Sequence, residues 1–175
     1  MNNCFVNLKV LLKRTKSDKH QKVAKILLRN ALKISTAESC TGGLLSSRLT
    51  DVSGSSAYTH LNFVTYSNDA KQKILNVSLE TLKQFGAVSE QCAYEMAQGL
   101  LRVTNSDIAI CTTGIAGPTG DENKPVGLLY AACAYKDKIV VKKFKLNPKL
   151  NRKNMKFMFT EKALDMVLDI LNQEI

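Results

Sequence analysis

Three polar segments carry residue types that can do chemistry, and each is expected at the end of a strand. The first is Ala37-Glu38-Ser39-Cys40-Thr41-Gly42-Gly43. It reads as a strand-to-helix turn, with Ser39 placed like a nucleophile on a tight bend. Amide groups at such a helix start are unpaired and can hold a phosphate or an oxyanion. Ser39 and Thr41 can equally serve as plain helix caps. The second segment is Phe63-Val64-Thr65-Tyr66-Ser67-Asn68-Asp69-Ala70-Lys71. Here Tyr66 is expected to end a strand and Lys71 to fall in the first turn of the next helix. A cation is misplaced at that positive end, and with partial burial the neutral amine is favoured, which makes Lys71 a possible general base. A solvent-exposed lysine is the plainer alternative. The third is Thr112-Thr113-Gly114-Ile115-Ala116-Gly117-Pro118-Thr119-Gly120, closed by Lys124-Pro125-Val126-Gly127. Its glycines permit close backbone approach. It matches neither a dinucleotide fingerprint nor a Walker loop and reads alternatively as a long surface turn.

What is missing narrows the chemistry. A Ser-His-Asp triad needs a histidine, and the chain has two, His20 in the basic N-terminal stretch and His60 mid-strand. Neither is well placed for Ser39. If Ser39 is a nucleophile, Lys71 is the better base. Cys40 is an alternative nucleophile, but nothing beside it in sequence would generate a thiolate. No His/Cys/carboxylate cluster has metal-ligand spacing.

These segments need elements to position them. Val23, Ile26, Leu27, Asn30 and Ala31 form a helical stripe after the polar start Ser17-Asp18. Residues 32–37 read as a strand, and a helix opens at 41–43 and runs to about 50. A loop covers 51–56, a strand 57–66, and helices 70–75, 79–85 and 89–103. The β-branched run Ile108 to Thr113 reads as a fully buried strand. Strands at 126–135 and 139–146 flank the turn Lys136-Asp137-Lys138, and a last helix covers 151–171. Alternating helices and strands with a terminal hairpin predict an α/β domain with a mixed sheet.

Composition sets outer limits. The 175 residues are 45% hydrophobic and 23% charged, enough for one domain with a real core. No apolar run approaches the roughly 18 residues of a membrane span. The first twelve residues lack the cleavage signature of a secretory leader, so a cytoplasmic protein is expected. The five cysteines (4, 40, 92, 111 and 133) form no CxxC pair, and the apolar surroundings of the last three predict buried free thiols. The net charge of +10 is terminal: residues 1–33 hold nine Lys/Arg against one acid, 138–156 eight against none, and 34–137 seven against ten. A solvated lysine-rich surface accounts for this more simply than a specific nucleic-acid site.

Taken together, Ala37–Gly43, Gly54-Ser55-Ser56, Val64–Lys71, Gly86-Ala87-Val88-Ser89-Glu90, Gly114-Ile115-Ala116-Gly117-Pro118 and Lys124-Pro125-Val126-Gly127 closely resemble the CinA C-terminal domain family, which includes stand-alone nicotinamide-nucleotide amidases. The resemblance covers about residues 20–172 and leaves 1–19 as a basic extension. It implies a three-layer α/β/α fold and deamidation of nicotinamide mononucleotide (NMN) to nicotinate mononucleotide and ammonia. It makes Ser39 the nucleophile, with Lys71 as base and Tyr66 relaying or orienting the proton. It assigns phosphate and ribose recognition to Thr41, Gly42, Ser55, Ser56, the loop residues Thr113, Gly114, Gly117 and Thr119, and Arg152. No metal or organic cofactor is implied, and a homo-oligomer is expected. Where the family usually carries Gly-Asp-Arg and a second Arg one turn on, this chain has Asn151-Arg152 and Lys156. A lysine lacks the guanidinium fork. That departure motivates an alternative: an inactive member that binds a nucleotide or a protein partner.

Overall fold

The computed structural model describes residues 6–11, 17–121 and 124–174. Cys4 and the greater part of the basic extension therefore lie outside the described residues. Helix α1 (6–11) is followed by α2 (Lys19–Arg29), β1 (Ile34–Glu38), α3 (Leu44–Thr50), a 3-10 turn (Ser55–Ala57), and β2 (Thr59–Val64). Then come α4 (Asn68–Leu75), α5 (Leu79–Gln84), α6 (Glu90–Thr104), β3 (Ile108–Gly114), β4 (Leu128–Tyr135), β5 (Lys138–Lys145) and α7 (Arg152–Glu174). The five strands lie in the order β2-β1-β3-β4-β5. β1 is parallel to both β2 and β3, while β3-β4 and β4-β5 are antiparallel. The sheet is mixed, as the hairpin pattern predicts.

The central strands alternate in size as well as direction. Ile34, Ile108 and Ile110 face one core, with α2, α3 and α7 packed over it. Ala37, Ala109, Cys111, Ala132 and Ala134 face the other, where α6 lies across β3 and β4. Small side chains on that face let a helix approach closely. Both faces are covered, so β3 is buried almost throughout and reads as an unbroken apolar run. Helices above and below the sheet make the three layers.

Several boundaries move for local reasons. Gly43 has φ 89°, so α3 begins at Leu44 rather than at Thr41. β2 stops at Val64, two residues before Tyr66. The stripe of α2 ends early: Asn30 caps the helix and Ala31 turns to φ 53°, leaving both exposed. Ser67, Ser78 and Ser89 each accept a hydrogen bond from the amide three residues on, so α4, α5 and α6 start where serine caps predict.

Candidate active site

From β1 the chain crosses through α3 to β2 on one side, while β3 returns on β1's other side. The carboxyl ends of β1 and β3 thus flank a topological switch point, where open α/β sheets hold their ligands. Ser39 follows β1 directly, and its amide donates to Thr112 O of β3 at 3.0 Å. A cleft of about 710 Å³ opens there, lined by Ser39, Tyr66, Lys71, Thr113, the 114–121 loop and Arg152 among others.

Glu38 builds the turn that presents Ser39. This wholly buried residue spends its carboxylate on α3: Oε2 accepts from Gly43 N at 2.9 Å and Leu45 N at 3.0 Å, and Oε1 accepts from Ser46 N at 2.8 Å and Ser46 Oγ at 2.5 Å. It does the work of an N-cap, and the residue at the cap position, Gly43, has no side chain for it. Ser39 is therefore not a helix cap; its hydroxyl is left to face the cleft.

Lys71 is 1% exposed, although it carries an ammonium in its charged form. Its Nζ donates to Thr65 O at 2.9 Å and Tyr66 O at 3.3 Å, and lies 3.3 Å from Ser39 Oγ. A neutral amine has two N–H groups and one lone pair. The two carbonyls match the two N–H groups and leave the lone pair for the Ser39 hydroxyl. Burial holds the Lys71 pKa below the ordinary lysine range, which favours that neutral form. The Cys40 thiol is driven the other way: burial pushes it up to about 12, which removes it as a nucleophile near neutral pH.

Tyr66 touches Lys71 through its main-chain carbonyl only. Its hydroxyl, on a 59% exposed side chain, accepts from Arg152 Nη2 at 3.0 Å, and Arg152 Nη1 donates to Gly117 O. The geometry offers Tyr66 an orienting part and gives its ring no hydrogen bond to the Ser39-Lys71 pair. Arg152 joins the two walls of the cleft, one from the loop after β3 and one from the segment after β2. Thr113 is buried beneath the loop, where Oγ1 donates to Ala87 O at 2.6 Å, and Thr119 is exposed on the cleft wall. Gly114 forms the floor: a Cβ there would stand 2.5 Å from Leu128 O and 3.2 Å from Cys40 Sγ.

Four expected contacts do not line the cleft. Ser55 and Ser56 form the turn before β2, and Thr59 of β2 pairs with Ile34, the first residue of β1. That turn is at the opposite end of the sheet from Ser39, because the return loop of a parallel crossover lies at the strands' amino ends. Thr41 is fully buried and shares a 2.8 Å hydrogen bond with Thr112 Oγ1, under the turn. Gly42 is not a lining residue either; it lies against Lys156, whose Nζ would be 3.1 Å from a Cβ at that position. Asn68, Asp121 and residues 86–88 line the cleft instead. Asn68 and residues 86–88 lie in segments that carry the family resemblance but were given no part in the site, and Asp121 lies in no quoted motif.

His20 is buried on α2 with Nδ1 2.8 Å from Arg48 Nη2, and His60 is exposed on β2; neither lines the cleft. Cys40, Cys92, Cys111 and Cys133 are buried free thiols. Among the described residues no helix is long and apolar enough to cross a membrane, and no three His, Cys, Asp or Glu gather as metal ligands would.

Known proteins share this fold. The chain is 50% identical over 153 residues to a CinA-like protein of Chloroherpeton thalassium, covering 86% of this chain and 36% of that one. It is 49% identical over 146 residues to a competence-damage inducible protein of Caldicellulosiruptor saccharolyticus, covering 83% and 35% respectively. It thus spans about a third of the length of these curated relatives. Among solved structures, the competence/damage inducible protein CihA of Agrobacterium tumefaciens superposes with a TM-score of 0.84 at 39% identity, over 89% of this chain and 94% of that one. A competence damage-inducible protein A of Klebsiella pneumoniae superposes at 0.86 with 31% identity, over 90% and 98%. The model of the CinA C-terminal domain matches residues 16–171, and this chain belongs to that family.

Proposed function

We propose that the chain is an amidohydrolase that deamidates NMN to nicotinate mononucleotide and ammonia. The observation that carries the reading is the 3.3 Å approach of a buried Lys71 amine to Ser39 Oγ at the floor of the cleft, with the Arg152 guanidinium across it. Neutral Lys71 takes the Ser39 proton as Oγ bonds to the amide carbonyl carbon. The tetrahedral adduct collapses, the C–N bond breaks, and Lys71 returns the proton to the leaving ammonia. Water then attacks the acyl-serine carbonyl as Lys71 takes its proton, the C–Oγ bond breaks, Lys71 returns the proton to Ser39 Oγ, and the acid product ionises to the carboxylate. The amides of Cys40 and Thr41, which Glu38 does not use, are the donors we assign to the developing oxyanion.

Arg152 supplies a forked cation for the phosphate of NMN. Lys156 stands beside Gly42 and not in the cleft, so phosphate recognition rests on one guanidinium. The test is product formation: wild-type protein with NMN should release ammonia in step with nicotinate mononucleotide. No ammonia from NMN or from other pyridine nucleotides would remove the enzyme reading and leave a binding module.

A further inference from the structure

Helix α1 precedes residue 16, where the family match begins, yet it is built into the molecule. Val10 is buried in the same core as α7. Asn7 lies at the start of α7: its Oδ1 accepts from Asn151 N and from Asn154 Nδ2, each at 3.0 Å, and its carbonyl accepts from Asn154 Nδ2 at 3.3 Å. Asn151 in turn caps α7, accepting from Asn154 N at 2.9 Å through Oδ1. Arg152, the first residue of the helix, lies between these two with Lys153. A helix end has unpaired amides and frays unless it is held. Here it is held twice, by Asn151 as cap and by Asn7, which fixes the cap and the helix's third residue together.

We propose that α1 is a positioning element for Arg152 and that Asn7 is its positioning residue. Without Asn7 the first turn of α7 loosens, and the guanidinium no longer spans Tyr66 OH and Gly117 O in one geometry. This rests on the reading of Arg152 as the phosphate-binding cation. The Ser39-Lys71 pair is held by β1 and α4, which Asn7 does not touch through these hydrogen bonds, so the loss should fall on substrate binding alone.

The experiment is steady-state kinetics of the full chain carrying Asn7→Ala or Asn7→Asp, with NMN and with its phosphate-free riboside. Asn7→Ala should raise KM for NMN roughly tenfold, about the worth of one ordinary hydrogen bond, with kcat unchanged. The kinetics with the riboside should not move. Asn7→Asp keeps an acceptor at Oδ1 and should restore the wild-type KM. An unchanged KM in Asn7→Ala, or equal losses with both substrates, overturns the proposal. If the wild type releases no ammonia from NMN, the amidase reading fails separately, and amide hydrogen exchange decides. Faster exchange at residues 152–156 in Asn7→Ala but not in Asn7→Asp supports the positioning role, and equal exchange in all three proteins refutes it.

Discussion

Lys71 stands where a charged lysine is least stable, buried and in the first turn of a helix, a position that suits a proton acceptor. Activity should rise with pH through the depressed Lys71 pKa and level off below the ordinary lysine range, as a kcat profile will show. Lys71→Arg should lose nearly all activity, because a guanidinium keeps its proton. The same shift bears on stability. The charged form is disfavoured in the folded chain, so the group costs stability below its folded pKa, and the cost fades as pH climbs toward the unfolded lysine value. Glu38→Gln removes acceptors from the buried start of α3 and should cost about 3 kcal/mol in urea unfolding, with kcat falling as Ser39 shifts. That Ser39 and Lys71 meet was expected from the sequence, where the scarcity of histidine pointed Ser39 to Lys71 and the segments carrying both resemble one family in order. Glu38 was not, since a glutamate that caps a helix from a neighbouring strand leaves no fixed spacing.

At the scale of elements, α4 carries Lys71 and is held at its distance by α6. Gly99 sets that distance: a Cβ there would lie 1.8 Å from Leu75 O, in the last turn of α4. Glycine to alanine in a helix ordinarily gains up to about 1 kcal/mol. Here the clash dominates, so Gly99→Ala should destabilise the protein by about 2 kcal/mol and lower kcat as α4 is pushed away, measurable by thermal unfolding and ammonia release. The elements themselves were largely legible. The run Ile108 to Thr113 is apolar on both faces because β3 is covered on both faces. The serine caps at 67 and 89 mark two helix starts. What local pattern did not reveal was which loops share an end of the sheet. Ser55 and Ser56 looked like site residues, yet the register of β2 against β1 puts them at the far end.

For the whole molecule, the net charge of +10 is partly met within the fold. Part of the terminal basicity is met by acids of α7: Lys19 reaches Asp165 at 2.7 Å, Lys142 reaches Asp169 at 2.7 Å and Lys138 reaches Glu174 at 2.9 Å. Binding to a labelled oligonucleotide, followed by fluorescence polarisation, should be independent of sequence and vanish by about 0.15 M salt, where non-specific phosphate contacts weaken steeply. The larger claim is that one serine turns this cleft into a catalyst. Ammonia release from NMN by the wild type and by Ser39→Ala tests it most directly. Steady release is expected from the wild type and none above background from the variant, with the variant folded to the same melting temperature. Release by Ser39→Ala at a rate near that of the wild type would contradict it.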